Sequence, residues 1–373
     1  MAKRQVKMYQ VVLLLFLSRT FTIISYNPKQ GTSFGATTTI LGMVAGFVLV
    51  FLLFLPGYAL IRRNSLPGEA PDLSMCAAKA LGKGSAVVDV IYFLFFAGVA
   101  GYTVANFELF ITTAVYPHAS QFLIVFLLIL AACYGVYMGV ESLSRISIVV
   151  FGFFFISMAF IFVALVPDID WVNLKMPFWS GLEQGMTAFW GGVMDSVGRS
   201  VELAAVLYLA PHIIGDLKKG VLAWDAMFTV KFILVSVLIV GVLGQLGITQ
   251  PFPFYTLTSM AEISIFQRLD SLHVSIWVLM GYVKTALFLF LSAKSLSHMV
   301  PEKFRRHTPW VATAVALGFA LLLSDNVRNL NLASLANGTG LPVLIAVFLI
   351  PGVLWLIDVI RHRKPKGEEA NAQ

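Results

Sequence analysis

Charge and cysteine are both scarce in this 373-residue chain. Only 12% of its residues are Asp, Glu, Lys or Arg, while 58% are hydrophobic. Soluble globular domains carry about 25% charge, so that class is excluded. The two cysteines, Cys76 and Cys133, lie far apart in a loop and a helix, which excludes a disulfide framework or a CxxC metal site. The six histidines are scattered, and no HExxH cluster forms. Short alternating segments, the mark of a membrane β-barrel, are also missing. There is no nucleotide-binding glycine loop, and no Ser-His-Asp or metal set sits outside the apolar runs. The chain therefore does not read as an enzyme, and neither a cofactor nor a metal is expected. The formal charge of +7 is compatible with a nucleic-acid partner. In a chain with many spans it instead reflects basic cytoplasmic loops, and no nucleic acid is expected.

What the chain has in abundance is apolar runs of about 20 residues, the length of a transmembrane helix. The basic residues 1–7 and the run 11–17 look like a signal peptide. No small-residue cleavage site follows before Arg19, so a retained first helix over 6–25 is expected. Further spans are predicted near 36–60, 86–116, 119–138, 143–166, 184–210, 220–246, 273–297, 308–324 and 341–360. The chain thus reads as an all-α integral membrane protein with ten transmembrane helices. The loop 61–85 is expected to hold a short amphipathic helix over 73–81. The polar segment 248–272 is expected to carry an interfacial helix over 256–268. Residues 361–373 read as a charged, disordered tail.

Lysine and arginine set the orientation. Of the 26, eighteen fall in one set of loops, four within helices, and four (Lys29, Lys175, Arg268 and Arg328) in the alternate loops. That asymmetry places both termini in the cytoplasm. Ten helices divide into a first repeat, 1–166, and a second, 167–360. A five-helix unit repeated once is inverted in the membrane. The first member of each half, 6–25 and 185–210, carries a mid-helix arginine and a polar or glycine-rich interruption. Paired irregular helices of this kind point to an inverted-repeat transporter fold.

The richest stretch is 191–211. Asp195, Arg199 and Glu202 fall at about 0°, 40° and 340° on a continuous helix, so they share a face. Charges at bilayer depth cost about 2.5–3.5 kcal/mol each and face a cavity or one another. Gly191, Gly192 and Gly198 loosen the helix and admit close neighbours. Two readings stand: a neutralised cluster gluing helices together, or a broken helix lining a binding site. Arg199 and Glu202, three apart, are expected to pair. Arg19, near mid-membrane, needs an anionic partner, for which Asp195 or Glu202 is available. Glu108, with Asn106 close by, either faces the same space or makes a helix–helix hydrogen bond. Trp190 stands where a pocket wall would lie, and Lys231 reads as structural.

Gly198-Arg-Ser-Val-Glu202 with the ending Leu207-Tyr-Leu-Ala-Pro211 resembles the sixth helix of GerAB-type spore germination permeases. Ile265-Phe-Gln-Arg-Leu-Asp270, running on to Trp277 and Lys294, is similar to that family's eighth-helix region. So is the ending Leu349-Ile-Pro351 followed by Arg361-His-Arg363. The resemblance implies the amino acid–polyamine–organocation superfamily and a LeuT-like 5+5 inverted repeat with helices 1 and 6 interrupted. It further implies the B subunit of a germinant receptor in the cell membrane (the inner membrane of a spore), beside an A subunit and a C lipoprotein. A small solute of the amino-acid kind would be its ligand. Proton-coupled amino acid transport and a purely structural assembly role are the alternatives. The chain departs from the family in helix 1, where Leu17-Ser-Arg-Thr-Phe-Thr-Ile-Ile-Ser25 has no glycine. Arg19 would then replace unwound backbone as the site for a ligand carboxylate, with Asp195 or Glu202 on the amine. Some members of the superfamily hold sodium between helices 1 and 8. Lys284 would occupy that place, near Thr22 and backbone carbonyls, or pair with an acid such as Glu108.

Overall fold

The computed structural model of the protein describes residues 5–22, 36–66, 69–174, 182–244, 246–263, 266–267 and 269–361. Lys29, Lys175, Arg268, residues 23–25 of the expected first helix and the tail beyond Arg361 lie outside the described residues. Seven helices among those described are long and apolar enough to cross a membrane. The protein is an all-helical multi-pass membrane protein.

Helix α1 (Met8–Thr20) is short and apolar. Its last turn closes on itself: the Thr20 hydroxyl donates to the Phe16 carbonyl at 2.6 Å and Thr22 to the Arg19 carbonyl at 2.7 Å. The second bond satisfies a carbonyl that a helix end leaves open, while the first is a back-bond within the last turn. Helix α2 (Ala36–Asn64) is a long span ending in Arg62 and Arg63, where cations suit the helix dipole. The amphipathic helix α3 (Leu73–Leu81) has the expected limits, with Asp72 as N-cap accepting from the Met75 amide at 2.9 Å.

Helix α4 (Ser85–Phe110) continues through a π-turn at Ile111–Val115. Helix α5 (Gln121–Leu165) has 45 residues, about 68 Å at 1.5 Å each, roughly twice the hydrocarbon core. It is divided at Gly139, where φ is 82° and ψ 170°, a conformation that glycine adopts without strain. The two spans predicted on either side of 139–142 are thus joined by a one-residue break rather than a loop.

The stretch around 191–211 is likewise split. Helix α6 (Leu182–Gly198) stops, residues 199–201 are non-helical, and α7 (Glu202–Leu209) resumes before a 3-10 turn at Ala210–His212. Helix α8 (Leu217–Leu243) follows, capped by Asp216. The segment 248–272 departs from expectation. Its helix, α9 (Pro253–Met260), starts at the proline pair and ends early, and a small hairpin of Glu262–Ile263 with Phe266–Gln267 takes the place of the predicted helix over 256–268. Helices α10 (Asp270–Met299) and α11 (Thr308–Ser324) match their predicted spans. A further short helix, α12 (Val327–Gly338), has no counterpart among the predicted segments, and α13 (Leu341–Arg361) closes the fold with a π-helical stretch inside it.

Glycine decides how α6 sits. A Cβ at Gly42 would overlap the Phe189 carbonyl and one at Gly192 the Thr39 carbonyl, while one at Gly46 would lie 2.6 Å from Ser196 Cβ. Helices α2 and α6 therefore touch backbone to backbone along this seam, the small-residue contact of membrane helices. Elsewhere α10 is central, packing on α4, α5 and α11. Its C-terminal end is tied to the N-cap of α3: Asp72 lies 3.1 Å from Lys294 Nζ and 3.3 Å from His298 Nε2. Burial alone would raise the Asp72 pKa. The hydrogen bond from His298 and the charge of Lys294 outweigh it and hold the carboxyl well below its usual range.

Candidate functional site

The break between α6 and α7 faces the end of α1, and a cavity of about 410 Å³ lies against both. That is ample for a small solute. Its walls combine polar groups (Thr22, Asp195, Arg199, Lys284, Tyr102, Thr103 and Asn106) with apolar ones (Phe21, Phe95, Val99, Val201, Phe319 and Leu323). Gly198 lines it directly, and Ser334 and Pro342 close one side.

Two charge systems meet here. The first is on the cavity wall. Arg199 Nε donates to Asp195 Oδ2 at 2.8 Å, four residues back on α6, and Nη1 donates to the Thr22 carbonyl at 2.7 Å. The side chains stay 24% and 29% exposed, so a solute in the cavity can reach them.

The second system is buried. Glu202, at the first turn of α7, accepts at one oxygen from Ser18 Oγ (2.8 Å) and Lys284 Nζ (2.9 Å), tying α1, α7 and α10 at a single point. Its other oxygen has no hydrogen-bond partner among the described residues. Arg19 is fully buried. It donates to Asp225 Oδ1 (3.3 Å), Ser200 Oγ (2.7 Å) and the Ser196 carbonyl (3.4 Å). Its guanidinium also lies over Phe228, Trp224 and Phe47, at 4.2, 4.8 and 4.9 Å, favourable cation–π distances.

Several sequence expectations change accordingly. Arg199 pairs with Asp195 and not with Glu202, because the non-helical residues 199–201 turn Glu202 away from the face it would share on an unbroken helix. The acid held by Arg19 is Asp225 on α8, neither Asp195 nor Glu202. Arg19 also stands outside the cavity wall, shielded by its aromatic neighbours. Lys284 binds Glu202 rather than Glu108, and it does reach the cavity. Glu108 is buried two residues beyond Asn106, takes the Thr112 hydroxyl at 3.1 Å, and does not line the cavity. Trp190 is half exposed beside Phe189 and also lies outside the cavity lining. Thr22, Asp195, Gly198, Arg199 and Lys284 are the expected residues that the fold gathers around one space.

Asp225 is absent from the residues that sequence reasoning singles out, yet it is the sole acid of the run 220–246. A lone carboxylate in an apolar span demands a cation, and that signal points to it. Ser18, Ser200, Phe21 and Tyr102 carry no comparable sign.

The sequence is similar to those of known proteins. The profile of the spore germination protein family matches residues 37–328. The chain is also similar to spore germination protein KB of Bacillus subtilis (strain 168), 22% identical over 383 residues that cover 99% of this chain and 100% of that relative. The family match takes in the interrupted helix, both acids of the buried system and most of the cavity lining, and the chain belongs to the spore germination protein family.

Proposed function

We propose that this chain is the B-type membrane subunit of a germinant receptor and that it binds a small zwitterionic solute of the amino-acid class at the α6–α7 break. The observation that carries the reading is the cavity itself. It offers two cationic groups, Arg199 and Lys284, to a carboxylate, and the Asp195 carboxylate to an ammonium, beside apolar walls for a side chain. Family membership and similarity along the whole of a spore germination protein support it. An A subunit and a C lipoprotein are the partners proposed, in the membrane of a spore former.

The proposed architecture is a LeuT-like 5+5 inverted repeat of ten spans. The first repeat comprises α1, α2, α4 and the two parts of α5; the second comprises α6–α7, α8, α10, α11 and α13. Exchanging the repeats maps the α1–α8 contact onto α6–α2, and α10–α5 onto α4–α11, and all four pairs pack. Both termini are placed in the cytoplasm by the lysine and arginine distribution. Cysteines introduced at Lys29, Lys175 and Arg328 should then react with impermeant maleimides from outside, and those at Arg62 and Lys303 should not. Reversed labelling would refute this topology.

Binding is tested on purified protein with a panel of labelled amino acids. Saturable binding that Arg199→Ala weakens at least tenfold, on the order of 1.4 kcal/mol, is the expected result. Binding left intact by both Arg199→Ala and Lys284→Ala would remove the cavity from the mechanism. Uptake into proteoliposomes separates the alternatives: ligand accumulation driven by a proton gradient would make the chain a transporter rather than a sensor.

A further inference from the structure

Two glycines on α4, three residues apart, have opposite surroundings. A Cβ at Gly101 would lie 2.6 Å from Phe319 Cβ and 2.8 Å from the Ala316 carbonyl, so the close approach of α11 explains this glycine. A Cβ at Gly98 would meet no atom within 4 Å. Nor does the backbone require glycine at 98, which lies inside the helix and has no positive φ. Glycine in mid-helix is less stable than alanine. Gly98 is therefore unfavourable where it stands, with no packing contact to explain it. It lines the ligand cavity.

The wall around Gly98 is apolar. Leu94, Phe95 and Val99 flank it on α4, and α11 adds Phe319 and Leu323. Further along α4 the lining turns polar, yet the Thr103 hydroxyl donates to the Val99 carbonyl at 2.7 Å and the Asn106 amide to the Tyr102 carbonyl at 2.9 Å. Both donate within their own helix. Among the described residues, neither α4 nor α11 gives the cavity a charged group; Asp195, Arg199 and Lys284 come from α6, the break and α10. Ionic groups and apolar lobe are thus supplied by different elements. A solute with only a methyl side chain would satisfy the first, leave the second unfilled and forgo its dispersion contacts.

We propose that Gly98 is a specificity-determining residue, and that the ligand is an amino acid with a large apolar side chain, branched or aromatic, seated in the lobe that Gly98 leaves open. The proposal rests on the zwitterion reading above, since it names the side chain that such a solute carries.

The test is equilibrium binding of the common amino acids to the full-length protein in detergent. Leucine, isoleucine or phenylalanine should bind at least about tenfold more tightly than alanine. Gly98→Leu should lower that affinity by about tenfold or more and leave the affinity for alanine nearly unchanged. Gly98→Ala should act in the same direction to a smaller extent. Its methyl enters open space, so it should also raise Tm, and it carries the test if Gly98→Leu fails to fold. Gly152→Leu, at a glycine of α5 that is equally open but outside the cavity lining, should leave the preference as it is. Tighter binding of small or polar amino acids, a preference that both Gly98 variants leave unchanged, or a lower Tm in Gly98→Ala would each overturn the proposal while the amino-acid reading stands. Saturable binding of none of them to the parent protein would remove that reading, and the proposal with it.

Discussion

Two ion-pair systems sit within a few turns of each other, built from the same residue types, yet they are differently made. Arg199 and Asp195 lie on one helix four residues apart, partly open to the cavity. Arg19–Asp225 and Lys284–Glu202 join different helices, with side chains at most 9% exposed. An open pair is screened by solvent, contributes little to stability, and can exchange partners with a solute. A buried pair between helices is a fixed joint, because removing either member strands a charge. Under the proposed function, the comparison assigns recognition to the first system and architecture to Arg19–Asp225, with Lys284 the one member of the buried system that also borders the cavity, although intuition from sequence would give the mid-membrane Arg19 the recognition role.

The sharpest way to break the contrast is at Glu202. Glu202→Ala leaves Lys284 stranded and should cost about 3–5 kcal/mol in unfolding free energy. Adding Lys284→Met should recover much of that loss. Adding Arg199→Ala instead should not, and a double-mutant cycle in detergent showing equal coupling to both cations would refute the assignment.

Next comes Asp225→Asn, which removes the counter-charge of Arg19 and should cost about 3 kcal/mol. Solute affinity, measured by equilibrium binding, should stay near that of the parent protein. A large loss of affinity at unchanged stability would place Arg19 back in recognition.

A smaller effect is expected at Asp72, outside the spans. Its folded pKa lies below the unfolded value, so its contribution is fully present above the ordinary carboxylate range and is lost as pH falls towards the folded pKa. Asp72→Asn should therefore cost about 1–2 kcal/mol at neutral pH. The two proteins should converge in stability as the medium is made strongly acidic. A gap that widens on acidification would contradict the pairing with Lys294 and His298.

The smallest change in stability belongs to the open pair. Arg199→Ala or Asp195→Asn should shift unfolding by less than about 1 kcal/mol, while either lowers solute affinity clearly. A destabilisation comparable with Glu202→Ala would show that the pair is structural after all.

What can be read from the sequence divides along the same line. The spans follow from apolar runs, and helices such as Thr308–Ser324 fall where periodicity and length place them. The interruption near 199 is legible too, since glycines and charges clustered within an apolar run weaken a helix at that point. Partner identity is not. The angular argument that puts Glu202 beside Arg199 assumes one continuous helix, and the interruption it helps to locate invalidates it. Asp225 sits 206 residues from Arg19 in sequence, and no periodicity links positions brought together only by packing. The end of α9 at Met260 is equally hidden, because a mixed polar stretch fits a helix or a hairpin equally well until its neighbours are known.

The glycine seam sets how this membrane protein can move. With the backbones of α2 and α6 in direct contact, neither helix can roll or slide against the other without collision, so the two travel as one rigid body. Under the proposed function, any rearrangement that follows solute binding would then be confined to the break at residues 199–201 and to the elements beyond it. A single methyl group introduced at Gly42 or Gly192 would act as a wedge, overlapping the Phe189 or Thr39 carbonyl: it would push α6 away from α2 and alter the angle at the break without touching the cavity.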